Sequence, residues 1–224
     1  MPKPTIIPNW KYQKPSKGGH RGLKKLLKYV SHRENPDHFP LDTDDRWMDC
    51  GLGSGWRDVY ENAVKLAGPY VLAHHMVISP APDLMAFVPA HLRYDVVREV
   101  TERTIEMWHQ ARGLNRPEYS YVLHDRDTDD DGMQMLHTHV FIAGTIENSI
   151  GERESHRVQR EHVVADERAL QRENNLHRIA RAEFEQLLDL NFGRSWRLLR
   201  EPELEQAQEQ TLDTSPERDW EIGL

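Results

Sequence analysis

Tyr121-Val-Leu-His124-Asp-Arg-Asp127, and after an acidic connection Leu136-His137-Thr-His139-Val-Phe-Ile142, is the stretch on which the reading of this chain turns. Side chains alternate between the faces of a strand. His137 and His139 therefore share one face with Phe141, while Leu136, Thr138, Val140 and Ile142 take the other. Tyr119 to His124 and Leu136 to Ala143 have the β-branched and aromatic content of strands. If the two segments pair as neighbours, His124 comes to lie beside the other two histidines. Three imidazoles on one sheet face make a divalent-metal site with positions left open for substrate oxygens. The competing reading is that these are structural histidines in a chain that has 13 of them.

The acidic connection Asp127-Thr-Asp129-Asp-Asp131-Gly132 matches the beginning of an EF-hand calcium loop. Such a loop needs a bidentate glutamate at its twelfth position, where this chain has Thr138, and helices rather than strands on its flanks. A solvated hairpin loop is the expectation.

Outward from this pair, Tyr70 to Ser79 reads as a third strand, stopped by Pro80 and Pro82. Pro89 to Arg112 has helical periodicity through Leu92, Val96, Val97, Val100 and Met107, with Gly113 ending it. Gly22 to Tyr29 predicts a short amphipathic helix, a second helix is expected from about Arg57, and a last from about Asp166 to Leu190. Strands mixed with helices without βαβ regularity predict an α+β domain, a central antiparallel sheet with flanking helices. The expected organisation is a basic extended arm over residues 1–20, one domain over 21–200 and an acidic, flexible tail over 201–224.

A chain of 224 residues can close a substantial core. No stretch approaches the roughly 20 apolar residues of a membrane span, and the start lacks the apolar core of a secretory signal. Cys50 is the one cysteine, which excludes an internal disulfide and a cysteine-based zinc cluster. The expectation is a cytoplasmic protein without a membrane segment. The net charge of −8 speaks against nucleic acid, yet Lys3 to Arg33 contains no acidic residue. Trp10, Lys11, Tyr12, Lys14 and Lys17 interleave aromatics with cations, a composition suited to base stacking and phosphate contact on single strands. Lys24 and Lys25 in the following helix join them as candidate DNA contacts. A merely disordered basic terminus is the alternative.

Three ordered features carry a family resemblance. These are the early helix GLKKLLKYV with Tyr29 at its end, the strand HHMVISP followed by a long helix, and His124 followed by His137-x-His139. In this order they resemble the relaxase/mobilisation nuclease family, a branch of the HUH endonucleases. The loop before His137 is longer than in most relatives, and Ala143 stands where many have Asn. The resemblance implies a site- and strand-specific single-stranded DNA endonuclease and strand transferase acting at a transfer origin. It implies Tyr29 as the nucleophile, His124, His137 and His139 as ligands of a divalent ion (Mg or Mn), and Asp127, with Asp125 second, as an assisting carboxylate. Accessory relaxosome proteins and a type IV secretion coupling protein are the partners it implies. A rolling-circle replication initiator or HUH transposase is the alternative within the same chemistry, and a non-catalytic DNA-binding module the alternative outside it.

Overall fold

The computed structural model describes residues 4–32, 46–125, 133–148, 150–156 and 176–199. In chain order the elements are β1 (Ile6–Gln13), α1 (Lys17–His32), β2 (Trp47–Cys50), α2 (Trp56–Lys65), β3 (Ala73–Pro80), α3 (Pro82–Phe87), α4 (Arg93–Ala111), β4 (Tyr119–His124), β5 (His137–Ala143), β6 (Thr145–Glu147), β7 (Arg153–Ser155) and α5 (Leu176–Phe192).

Strands β1 to β5 form one antiparallel sheet in the order β1-β3-β5-β4-β2. The histidine strand β5 is its middle strand. The pairing of β4 with β5 sets His124 directly opposite His137. All six residues of β4 are buried, as a strand covered on both faces requires.

Each sheet face holds its own apolar core. On one, Met76, Ile78, Tyr119, Tyr121, Val140 and Ile142 meet α4 and α5. Helix α4 supplies Val96, Val97, Val100 and Ile105, and α5 supplies Ile179, Phe184, Leu187 and Leu188, in the 3–4 spacing of a single helical stripe. Gly113, at φ 68°, ends α4 in the left-handed conformation that a Cβ disfavours. On the other face, Val122, Phe141 and Ala143 meet α1 and α2 through Leu23, Leu27, Val30, Val59 and Ala63.

The α+β architecture agrees with the sequence reading, and several elements correct its details, the β6–β7 hairpin after β5 among those not expected. Residues 6–13 are an edge strand and not an extended arm: Ile6 and Pro8 turn inward while Ile7 and Asn9 turn outward, and edge position tolerates the proline. Helix α1 begins at Lys17, five residues before the expected Gly22, and runs through Gly18, Gly19 and Gly22. A helical glycine costs about 1 kcal/mol against alanine, whereas a fully buried leucine or valine contributes about 1.5–3 kcal/mol, so Leu23, Leu27 and Val30 outweigh the glycines. Gly19 is also required sterically, since a Cβ there would run into the Lys14 carbonyl. Strand β2 and helix α3, short elements without clear periodicity, were not expected. The expected tail at 201–224 and the start of the last helix before Leu176 lie outside the described residues.

Candidate metal centre

His124, His137 and His139 present one nitrogen each, all within 4.8 Å of one another. Their ring centroids are 5.3 Å apart for His124–His137, 4.6 Å for His124–His139 and 5.2 Å for His137–His139. His124 and His137 are buried and His139 is half-buried. The cluster follows from pleat and register: His137 and His139 are two apart on β5, and β4 brings His124 alongside.

Hydrogen bonds orient the rings. His137 Nδ1 lies 3.2 Å from the Met135 carbonyl, so it donates there and Nε2 keeps the lone pair. His124 Nε2 donates to the Val30 carbonyl at 2.6 Å. This second bond ties the end of α1, where Tyr29 sits, to the histidine face. Tyr29 itself is 49% exposed, as a side chain reaching for an external group must be. Ser31 Oγ donates to the Leu27 carbonyl, and the buried Arg46 donates through Nη2 to the Ser31 carbonyl, which steadies the same helix end.

Three imidazoles with nitrogens this close fit a divalent ion. Nitrogen donors suit transition ions better than the oxygen-seeking Mg, so of the two ions expected the donor set favours Mn.

Sequence reasoning did not assign His75. It lies on β3 with Nε2 3.0 Å from His139 Nδ1, and its ring is parallel to His139 within 5° at 5.2 Å. Burial, with Lys11 second, pushes its pKa down to about 4, so the ring is neutral. Its relation to His139 arises from the β3–β5 register, which pairs His75 with Phe141 and Val77 with His139. Only a correct guess of that antiparallel pairing would have exposed it.

Other candidates separate. Asp125 is buried and accepts from Tyr94 Oη at 2.6 Å and Gln134 Nε2 at 2.7 Å. Those bonds hold it toward α4, the helix on the far side of the sheet. Asp127 lies outside the described residues. The aromatic and cationic positions of β1 divide by strand alternation. Lys11 pairs with His75 on the histidine face, whereas Trp10 and Tyr12 point to the opposite face, Trp10 against His74 at 5.4 Å and against the α4/α5 core. Trp10 is thus half-buried, with the 44% exposed Tyr12 stacked beside it at 5.9 Å and Lys11 on the opposite face. Lys14 and Lys17 are exposed at the start of α1, and Lys24 and Lys25 along it. Lys24 and Lys28 lie over the rings of Tyr60 and Trp56 of α2, at 5.5 and 4.9 Å.

On the other face His74, His109 and His156 form a second, wholly buried cluster. His74 Nε2 donates to the His156 carbonyl at 2.8 Å, His109 Nδ1 donates to the Ile105 carbonyl at 2.6 Å, and the Nε2 atoms of His109 and His156 are 3.2 Å apart. His156 Nδ1 also lies 3.4 Å from the Ala143 carbonyl. Burial first, then neighbouring positive charge, depresses His74 and His109 to about 4 and His156 to about 2.

No protein-family model and no curated protein matches the chain. Solved structures do. The metal-bound structure of the conjugative relaxase TrwC in complex with oriT DNA is similar at a TM-score of 0.50 and 13% identity, over 82% of this chain and 70% of that one. The metal-free structure of the same complex reaches 0.49 and 12% over the same shares. A structure concerned with vancomycin resistance transfer in Staphylococcus aureus reaches 0.42 and 9%, over 84% of this chain and 94% of that one. At such identities the likeness is one of architecture: this chain has a relaxase-like fold.

Proposed function

We propose that this chain is a member of the relaxase/mobilisation nuclease family, a metal-dependent single-stranded DNA endonuclease and strand transferase that nicks a transfer origin through Tyr29. The observation that carries the reading is the 2.6 Å bond from His124 to the Val30 carbonyl, which joins the tyrosine-bearing helix end to the face of three converging imidazoles.

His124, His137 and His139 would hold a divalent ion, which when bound supplies positive charge to a phosphodiester and to the charge that develops on it. The remaining steps belong to the chain. Helix α1 presents the half-exposed Tyr29, whose Oη attacks the scissile phosphorus. A P–Oη bond forms and the bond to the 3′-oxygen breaks, the leaving oxygen taking a proton from water, which gives a 5′-phosphotyrosyl link and a free 3′-hydroxyl. The tyrosine proton passes to a base, for which Asp127 is the proposed group by resemblance. Because the link conserves a phosphodiester, a later 3′-hydroxyl can displace Tyr29 and reseal a strand. Lys11, Lys14, Lys17, Lys24 and Lys25 would contact backbone phosphates. At the level of the cell, accessory relaxosome proteins and a secretion coupling protein are the proposed partners.

Incubating the protein with an end-labelled pool of single-stranded DNA and Mn tests this. Discrete cleavage that chelator abolishes and His137→Ala removes is the expected result. Cleavage surviving chelation, or none with any divalent ion, counts against it.

A further inference from the structure

We infer that His75 is a positioning residue for His139, its Nε2 accepting the His139 Nδ1–H and so holding the His139 Nε2 lone pair toward the other two imidazoles. The inference rests on the metal-centre reading above.

A neutral imidazole carries one proton, and the nitrogen that holds an ion cannot be the one that carries it. A histidine ligating through Nε2 must therefore be protonated at Nδ1, and a buried N–H needs an acceptor. In His137 the Met135 carbonyl fills that role. For His139 the group 3.0 Å from Nδ1 is His75 Nε2. Acceptors behind metal-bound histidines are usually carboxylates, carbonyls or water; here it is a second imidazole.

The setting makes His75 a stiff support. Its ring lies edge to edge with His139, within 5° of parallel at 5.2 Å, and packs on Phe141 at 24° and 5.0 Å, so turning it would cost both contacts. Strand β3 fixes its backbone by pairing His75 with Phe141 on one side and with Lys11 on the other. Being uncharged, this acceptor orients the ligand without adding negative charge behind it. The full charge of a bound ion is then left to act on a phosphodiester, at some expense of affinity for the ion.

Two variants separate acceptor from packing. His75→Phe keeps a ring between His139 and Phe141 and removes the acceptor; His75→Gln keeps an acceptor oxygen near the position of Nε2. Calorimetric titration of the metal-free protein with Co, followed by the visible absorption of bound cobalt, reads the site without reference to nicking. We expect His75→Phe to bind Co about 10–100-fold more weakly than wild type with an altered spectrum. His75→Gln should recover most of both, and circular dichroism should be unchanged in the two. In wild type, long-range nitrogen–proton NMR should show His139 protonated at Nδ1. Wild-type cobalt binding by His75→Phe overturns the proposal, as does equal loss in the Phe and Gln variants or a proton on His139 Nε2. Failure of the underlying centre looks different: wild type and His124→Ala would then bind cobalt alike, and the proposal would fall with the site.

Discussion

The three proposed ligands differ in what a mutation can reveal. His137 sits on the histidine face with its Nδ1 3.2 Å from the Met135 carbonyl, so its removal should reach the ion more than the fold. His137→Ala is expected to lower Mn or Co affinity by more than the roughly 10–100-fold typical of losing a supporting group. Far-ultraviolet dichroism should stay native, and calorimetry with the chelator-stripped protein measures the loss. Tyr29→Phe deletes one exposed hydroxyl, and surface changes of that kind shift stability by about 0.5 kcal/mol or less. An unchanged urea midpoint would show that any loss of nicking is chemical. The alternation of β5 put His137 and His139 on one face from local pattern alone. His75 could not be read in that way, because its partner lies 64 residues along and only the sheet register joins them.

Among the elements, helix α1 links core to site, since it docks by Leu23, Leu27 and Val30 and carries Tyr29 in its last turn. Replacing a helical glycine by alanine ordinarily stabilises by up to about 1 kcal/mol. Gly19→Ala should do the reverse, by about 2 kcal/mol, because the new methyl meets the Lys14 backbone. Chemical denaturation measures both size and sign, and a gain in stability would contradict the packing described for the start of α1. The division of β1 yields a second expectation. Glutamate at Lys11, Lys17, Lys24 and Lys25 should weaken single-stranded DNA binding and flatten its salt dependence, since fewer counterions are released. Trp10→Ala should instead cost about 2–3 kcal/mol of stability and leave the salt slope alone, because Trp10 packs on the far face. An unchanged slope in the lysine variant would exclude these lysines from the interface. Strands β3, β4 and β5 were legible because apolar runs and alternation mark strands buried in a sheet. Strand β1 was not, for Pro8 inside it is tolerated at a sheet edge, and being an edge is a property of the assembled sheet.

For the whole molecule, the two sheet faces carry different histidine chemistry. The cluster of His74, His109 and His156 is buried neutral, with pKa values held below the ordinary 6.5. Between about pH 4 and 6.5 the unfolded chain binds protons that the folded chain excludes. Its stabilising effect is complete above about pH 6.5 and diminishes as pH falls, by at most about 1.4 kcal/mol per pH unit for each histidine. Urea midpoints taken in chelator should therefore drop from pH 7.5 to pH 5, and His109→Leu should lessen the drop; a flat profile would refute the neutral cluster. Among the described residues no helix is long and apolar enough to cross a membrane. The other face bears the chemistry on which the functional reading depends, and there the most direct measurement is the identity of the covalent adduct. Protein incubated with Mn and a randomised single-stranded DNA pool, denatured and digested with nuclease and trypsin, is examined by mass spectrometry. A nucleotide phosphate is expected on the tryptic peptide running from Tyr29 to Arg33, absent from Tyr29→Phe and from chelated samples. An adduct on Tyr12 or Tyr60, or one that persists in Tyr29→Phe, would contradict this expectation.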